Sequence, residues 1–175
     1  MKIVYLTSGP RGAGKSRYVD SLKKSHPEII VISRDKFFLE KFERSSFDPY
    51  TGEYEIAWQI FKEKAKQIIS TSSKDCKIVL DCWNGRSKVR QDLIKMLREW
   101  GADMVVCLYF ITSYDTCLHW FMKKSNKERA GLSEDSVDRD YKLYHHYAHD
   151  IDEDGFDIIN RINPSQLSFP GFPLI

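Results

Sequence analysis

Gly9-Pro10-Arg11-Gly12-Ala13-Gly14-Lys15-Ser16 follows the spacing G-x-x-x-x-G-K-[ST]. Each residue type there suits polyphosphate. Glycines let backbone N–H groups turn inward without Cβ clashes, and the helix expected to begin at Lys15 adds the partial positive charge of its N-terminus. The spacing places Lys15 on the β- and γ-phosphates of a bound ATP, with Ser16 supplying an oxygen to Mg²⁺ and Gly9, Arg11, Gly12, Ala13 and Gly14 completing the cradle. Two carboxylates stand in comparable places, Asp35 in Ser33-Arg34-Asp35 and Asp81 in Leu80-Asp81, each closing an apolar run.

The elements that must position these groups are legible from period. Lys2–Thr7, Ile29–Ser33, Lys77–Asp81, Met104–Ile111 and Phe156–Ile162 are short apolar runs that predict strands buried on both faces. Between them the period becomes helical, over 15–25, 35–43, 53–69, 87–100, 113–124 and 134–148. Ser113 is the expected N-cap of the fifth helix, and Ser133 that of the sixth. Such alternation requires an α/β fold, with a mainly parallel sheet and helices on both faces. The carboxyl ends of parallel strands face one crevice, which brings Asp35 and Asp81 to the phosphate loop.

There Asp35 is suited to orient a hydroxyl and accept its proton late in phosphoryl transfer. Its other role is to cap the following helix. Asp81 is placed to accept a hydrogen bond from a Mg²⁺-bound water, or to brace the phosphate loop and the Asn84-Gly85 turn; the two roles are compatible. The stretch Lys123-Lys124-Ser125-Asn126-Lys127-Glu128-Arg129-Ala130-Gly131 is strongly cationic and ends in glycine, as expected of a lid, set at about 123–134. Arg129 is the first choice for the guanidinium that spreads over the transferring phosphoryl group, because a planar fork fits phosphate oxygens. Lys124, Lys127 and Arg139 are further candidates.

Other nucleotide users fit less well. Asn126-Lys127-Glu128-Arg129 ends in the wrong charge for an N-K-x-D guanine reader, and Asp81 is followed by Cys82 rather than the Glu of an oligomeric ATPase motor. What remains is a small kinase in which one loop holds ATP, a carboxylate meets the acceptor hydroxyl and a basic lid closes. A nucleotide-binding regulator needs neither an acceptor-side carboxylate nor a phosphoryl clamp.

With 175 residues, 42% hydrophobic and 30% charged, the chain predicts a single domain over 1–175. The formal charge of +2 is too mild to argue nucleic-acid binding from the overall field. Cys76, Cys82, Cys107 and Cys117 form no C-x-x-C pair and are expected as reduced, mostly buried thiols. No apolar run is long enough for a membrane span or a signal-peptide core, so a cytoplasmic protein without a membrane partner is expected.

With Gly9–Ser16, Arg34-Asp35, Leu80-Asp81 followed by Asn84 and Arg86, and the stretch through Arg129 in that order, residues 1–145 resemble phage-type polynucleotide 5′-hydroxyl kinases. The likeness extends to the wider group of small P-loop kinases that includes zeta-type toxins and some antibiotic phosphotransferases. It implies a P-loop NTPase fold, three layers α/β/α deep, with a five-stranded parallel sheet in the order 2-3-1-4-5 and a helical lid. It also implies Asp35 as general base, Arg129 as the lid arginine, ATP and Mg²⁺ as cofactors, and an RNA or DNA 5′-hydroxyl as acceptor. The other acceptor class is a small metabolite, nucleoside or antibiotic. One departure stands out. Where those kinases hold the acceptor's phosphate with an arginine three residues beyond the base, this chain has Phe38, so Arg34, Arg44, Arg86 or Arg90 would have to substitute. Of the aromatics from Phe37 to Trp58, and Trp83, some are suited to stack on an acceptor base and most to fill a core.

Two further patterns are discounted. Asp150-x-Asp152-x-Asp154-Gly155 imitates half a calcium loop but has Arg161 where a Glu is required, and His145, His146 and His149 lack a placed third ligand. In the tail Phe169–Ile175, Pro170 and Pro173 exclude regular helix.

Overall fold

The computed structural model describes residues 1–48, 50–129 and 131–164, with Lys127 described by its backbone alone. The expectations for the Lys127 side chain and for the tail Phe169–Ile175 lie outside the described residues.

The chain runs β1 (Lys2–Ser8), α1 (Lys15–Ser25), β2 (Ile30–Ser33), α2 (Arg34–Phe42), α3 (Gly52–Thr71) and β3 (Cys76–Asp81). It continues through α4 (Ser87–Glu99), β4 (Met104–Phe110), α5 (Tyr114–Met122), α6 (Asn126–Arg129), α7 (Glu134–His146), a 3₁₀ turn (His149–Asp152) and β5 (Ile158–Ile162). The strands form one parallel sheet in the order β2-β3-β1-β4-β5. This is the expected order. The short helix α6 falls inside the stretch expected as a helical lid, and one short element was not foreseen, the 3₁₀ turn before β5.

Alternation along the strands splits the core into two layers. Tyr5, Val79, Val106 and Leu108 pack under Tyr18, Val19 and Leu22 of α1, Cys117 and Phe121 of α5, and Val137 of α7. Val4, Leu6, Ile78, Leu80 and Val105 face Phe38 of α2, Ala57, Phe61, Ala65 and Ile69 of α3, and Leu93, Ile94 and Leu97 of α4. β1 is buried along its whole length because it is covered on both faces and paired on both edges. Each large aliphatic chain so buried stabilises the fold by about 1.5–3 kcal/mol.

Register sets the crevice. Ser33 pairs with Asp81 across β2 and β3, and Leu80 with Leu6 across β3 and β1, so the strands end side by side. Thr7 Oγ1 donates to Asp81 Oδ1 at 2.6 Å, and Asn84 Nδ2 donates to the Thr7 carbonyl at 2.7 Å. These bonds fix the turn after β3 against the strand that feeds the glycine loop.

Arg90 does not serve the acceptor. It lies on the inner stripe of α4 with 1% of its surface exposed, and its Nε donates to the buried Asp154 carboxylate. Its Nη2 donates to the Tyr147 carbonyl at 3.0 Å, while Ser87 Oγ donates to the other Asp154 oxygen. Sequence spacing alone did not reveal a partner 64 residues away. Asp154 is thereby committed to Arg90 rather than to a calcium loop. Replacing Asp154 by Ala strands a buried guanidinium, and urea denaturation should show a loss of about 3–5 kcal/mol. A loss below about 1 kcal/mol would mean the pair is not what joins α4 to the chain after α7.

Candidate active site

The glycine loop joins β1 to α1 under a tight steric constraint. At Gly12, where φ is +79°, an added Cβ would stand 2.1 Å from the Cys117 carbonyl oxygen of α5. At Gly14, the left-handed residue that opens α1, it would stand 2.9 Å from the Trp120 ring. The loop is pressed against α5, and only residues without side chains fit there. No acidic residue occupies the first turn of α1, so its N–H groups keep their partial positive charge. The Ala13 amide donates to the Pro10 carbonyl at 3.1 Å, and Thr112 Oγ1 donates to the Ala13 carbonyl at 2.8 Å.

A cleft of about 350 Å³ opens over this loop. One wall is the loop and the start of α1, from Arg11 to Arg17, and another is Asp81, Cys82 and Trp83 beyond β3. Arg34 and Asp35 of α2, with Ser45 and Ser46 after it, form a third side, and Trp120, Phe121, Lys123, Lys124, Glu128 and Arg129 form the rim above. Lys15, Ser16, Asp35, Asp81 and Arg129, from four separate places in the sequence, therefore share one cavity. Gly9 contributes through its carbonyl, which accepts from Lys15 Nζ at 2.5 Å, as the Pro10 carbonyl does at 2.9 Å.

Electrostatics concentrate on Lys15. Desolvation in the cleft pushes its ammonium below the ordinary lysine value, and Asp81, Asp140 and Asp35 oppose that shift. Opposite it, Asp35 Oδ1 accepts from Arg34 Nε at 3.0 Å and Nη2 at 2.7 Å. Burial weakens the Arg34 charge, but the Asp35 carboxylate outweighs it and holds the guanidinium above its usual value. Arg34 also lies 5.7 Å from the Phe38 ring centroid. The helix begins at Arg34 with Ser33 at its N-cap position, so Asp35 sits inside the first turn rather than capping it.

Arg129 ends a single helical turn closed at its start by Ser125 and Glu128: the Ser125 amide donates to Glu128 Oε2 at 2.9 Å and the Glu128 amide to Ser125 Oγ at 3.3 Å. Its Nη2 donates to Asn126 Oδ1. Arg86 and Arg139 are exposed and do not line the cleft. Phe38 is 1% exposed, packed against Phe42, Phe47 and Phe61 with ring centroids 5.1 to 6.1 Å apart. Sequence reasoning missed Asp140, Trp120 and Tyr144. Their helical phase was the available signal, since Asp140 lies three residues after the buried Val137 and four before the buried Tyr144.

A family model described as an AAA domain matches residues 4–142. The chain belongs to this family of P-loop kinases. Similar solved structures agree on the fold. A chain in the Pnkp1/Rnl/Hen1 RNA repair complex is 15% identical with a TM-score of 0.66, over 86% of this chain and 46% of that one, so this chain spans less than half its length. Shikimate kinase from Bacteroides thetaiotaomicron is 15% identical with a TM-score of 0.60, over 95% and 89% of the two chains. A fungal RNA kinase is 14% identical with a TM-score of 0.58, over 94% and 76%. No curated protein matches the sequence. The P-loop kinase fold implies nucleotide binding, and among the described residues no helix is long and apolar enough to cross a membrane.

Two outcomes follow from this geometry. Gly12→Ala must displace the loop from α5, and titration with a fluorescent ATP analogue should show affinity lowered about 10- to 100-fold, as for roughly 1–3 kcal/mol of backbone strain. Burial raises the thiols of Cys82 to about 12 and of Cys117 to about 11, and raises Cys107 as well, whereas Cys76 is half-buried. Iodoacetamide at about pH 8 should therefore label Cys76 alone in the folded protein, read by peptide mass spectrometry.

Proposed function

We propose that the chain is an ATP-dependent phosphotransferase that moves the γ-phosphoryl group onto a hydroxyl, with the 5′-hydroxyl of a polynucleotide as acceptor. The observation that carries this reading is the shared cleft, in which the Lys15 ammonium and the Asp35 carboxylate occupy different walls below Arg129. Asp35 is 61% exposed at its side chain while one of its oxygens is fixed by Arg34, a geometry that leaves a carboxylate oxygen for the incoming hydroxyl. As the acceptor oxygen bonds to the γ-phosphorus and the bond to the β–γ bridging oxygen breaks, Asp35 takes the hydroxyl proton and ADP departs. Lys15 and the loop amides bind the phosphates, and Arg129 lies over the group in transfer, with the segment 123–134 acting as lid.

The residues present fit a magnesium ion. Ser16 at the start of α1 and Asp81 at the end of β3 bring an alcohol and a carboxylate, both hard oxygen donors, into the same cleft, and Thr7 engages Asp81 through Oδ1. The ion would supply charge neutralisation at the phosphates, with Ser16 as ligand and Asp81 holding its water.

The order of motifs supports the polynucleotide acceptor, and a chain of an RNA repair complex and a fungal RNA kinase are among the structural neighbours. A specific observation favours a second reading, a small hydroxyl compound. Phe38 is core rather than a phosphate clamp, Arg34 is held by Asp35, Arg44 pairs with Glu53 at 2.7 Å, and Arg90 is buried. Labelled ATP offered to 5′-hydroxyl RNA and DNA oligonucleotides, and separately to nucleosides and small alcohols, distinguishes the two. Label on oligonucleotides is the expected result, and label on small compounds alone favours the second. Asp35→Ala should lower transfer at least about 10²-fold in single-turnover assays, as for loss of a positioned base. Full activity in that variant would remove Asp35 from the mechanism.

A further inference from the structure

Asp140 of α7 lines the cleft and has no part in the reading above. Its two carboxylate oxygens serve two different walls. Oδ2 accepts the Arg11 amide at 2.6 Å, at the crest of the glycine loop, and Oδ1 accepts the Trp83 indole N–H at 2.7 Å, in the turn after β3. One helical turn further, the Tyr144 hydroxyl accepts the Asn84 amide at 3.0 Å. The helix that follows the cationic stretch is thus bolted to both the loop and the turn beside Asp81.

The side chain carried by that anchored amide is itself unusual. Arg11 lines the cleft with its guanidinium 5.9 Å from the Phe121 ring centroid, and its Nε is buried without a hydrogen-bond partner among the described residues. A buried N–H without an acceptor is costly, and a phosphate oxygen in the cleft would satisfy it.

We propose that Asp140 is a positioning residue for the nucleotide: by holding the Arg11 amide, it aims the Arg11 guanidinium into the cleft as a second arginine on the polyphosphate, carried by the loop, while Arg129 comes from the rim. This rests on the kinase reading. Coupling to Arg11 separates it from a plain charge effect. A carboxylate repels a polyphosphate and also helps hold the Lys15 proton, so an effect of Asp140 through charge alone has either sign and persists when Arg11 is removed. If it positions Arg11, neutralising it weakens binding, because in Asn an N–H₂ group replaces one of the two acceptors and faces a donor.

The test compares wild type, Asp140→Asn, Arg11→Ala and the double variant by fluorescent ATP-analogue titration and by steady-state kinetics. Asp140→Asn should weaken nucleotide binding and raise the ATP KM about tenfold, with the acceptor KM unchanged, as for loss of one charge-assisted contact. In the Arg11→Ala background the same substitution should add less than about twofold, the signature of two residues acting as one unit. Unchanged or tighter ATP binding in Asp140→Asn, or full additivity in the double variant, overturns the proposal. If Asp140→Asn does not fold, Arg11→Ala decides alone: about tenfold weaker nucleotide binding supports the proposal, and wild-type affinity overturns it. Wild-type protein that binds no ATP overturns the kinase reading as well, whereas wild-type binding with indifferent variants overturns only this inference.

Discussion

A lysine ammonium has to stay charged in a cleft that strips away its water, and much of the architecture answers to that need. Desolvation pulls the Lys15 proton off, and Asp81, Asp140 and Asp35 hold it on. No one element could supply all three. Asp81 comes from the end of β3, Asp35 from the first turn of α2 and Asp140 from α7, and they meet because β3 lies between β2 and β1 with their carboxyl ends level. The chain leaves β1 toward one half of the sheet and returns through β4 on the other side, and the loop sits at that reversal, where α/β sheets open a crevice.

What the sequence made legible follows from which forces are local. Strands buried on both faces appear as apolar runs, and amphipathic helices as a stripe, so α1 falls on Lys15–Ser25 as expected and the strands deviate only at their ends. The loop is legible because it needs particular residue types in a fixed order. Arg90 and Asp140 were misjudged or missed for a common reason. Each is a charged residue on the buried stripe of its helix, Arg90 beside Leu93 and Ile94, Asp140 between Val137 and Tyr144. A charge in that phase must have a buried partner, which period can announce. It cannot name the partner, since Asp154 and Trp83 are distant in sequence and arrive only through tertiary packing.

The cationic stretch shows the converse. Ser125 and Glu128 form a reciprocal cap written openly as S-x-x-E, and the turn they close carries Arg129 at its end. Here the local hydrogen-bonding signal lies in the sequence itself. The consequence for the site is that Arg129 extends from a short ordered turn, its amide donating to the Ser125 carbonyl at 3.0 Å, rather than from an irregular segment. A guanidinium held this way keeps fewer conformations to lose when it meets an anion.

On the acceptor side the same reasoning turns the departure at Phe38 into a structural statement. An arginine there would reach for a phosphate, whereas Phe38 binds α2 into a ring cluster with Phe42, Phe47 and Phe61 and lies under the Arg34 guanidinium. That packing fixes Arg34, and Arg34 in turn fixes one oxygen of Asp35. On the proposed reading, a charge for the acceptor has been exchanged for rigidity in the base. The neighbouring groups that still face the cleft after α2 are the hydroxyl-bearing Ser45 and Ser46. On the same reading, recognition at that edge would rest on neutral hydrogen bonds, which report the shape and hydroxyl pattern of an acceptor and are nearly indifferent to its charge.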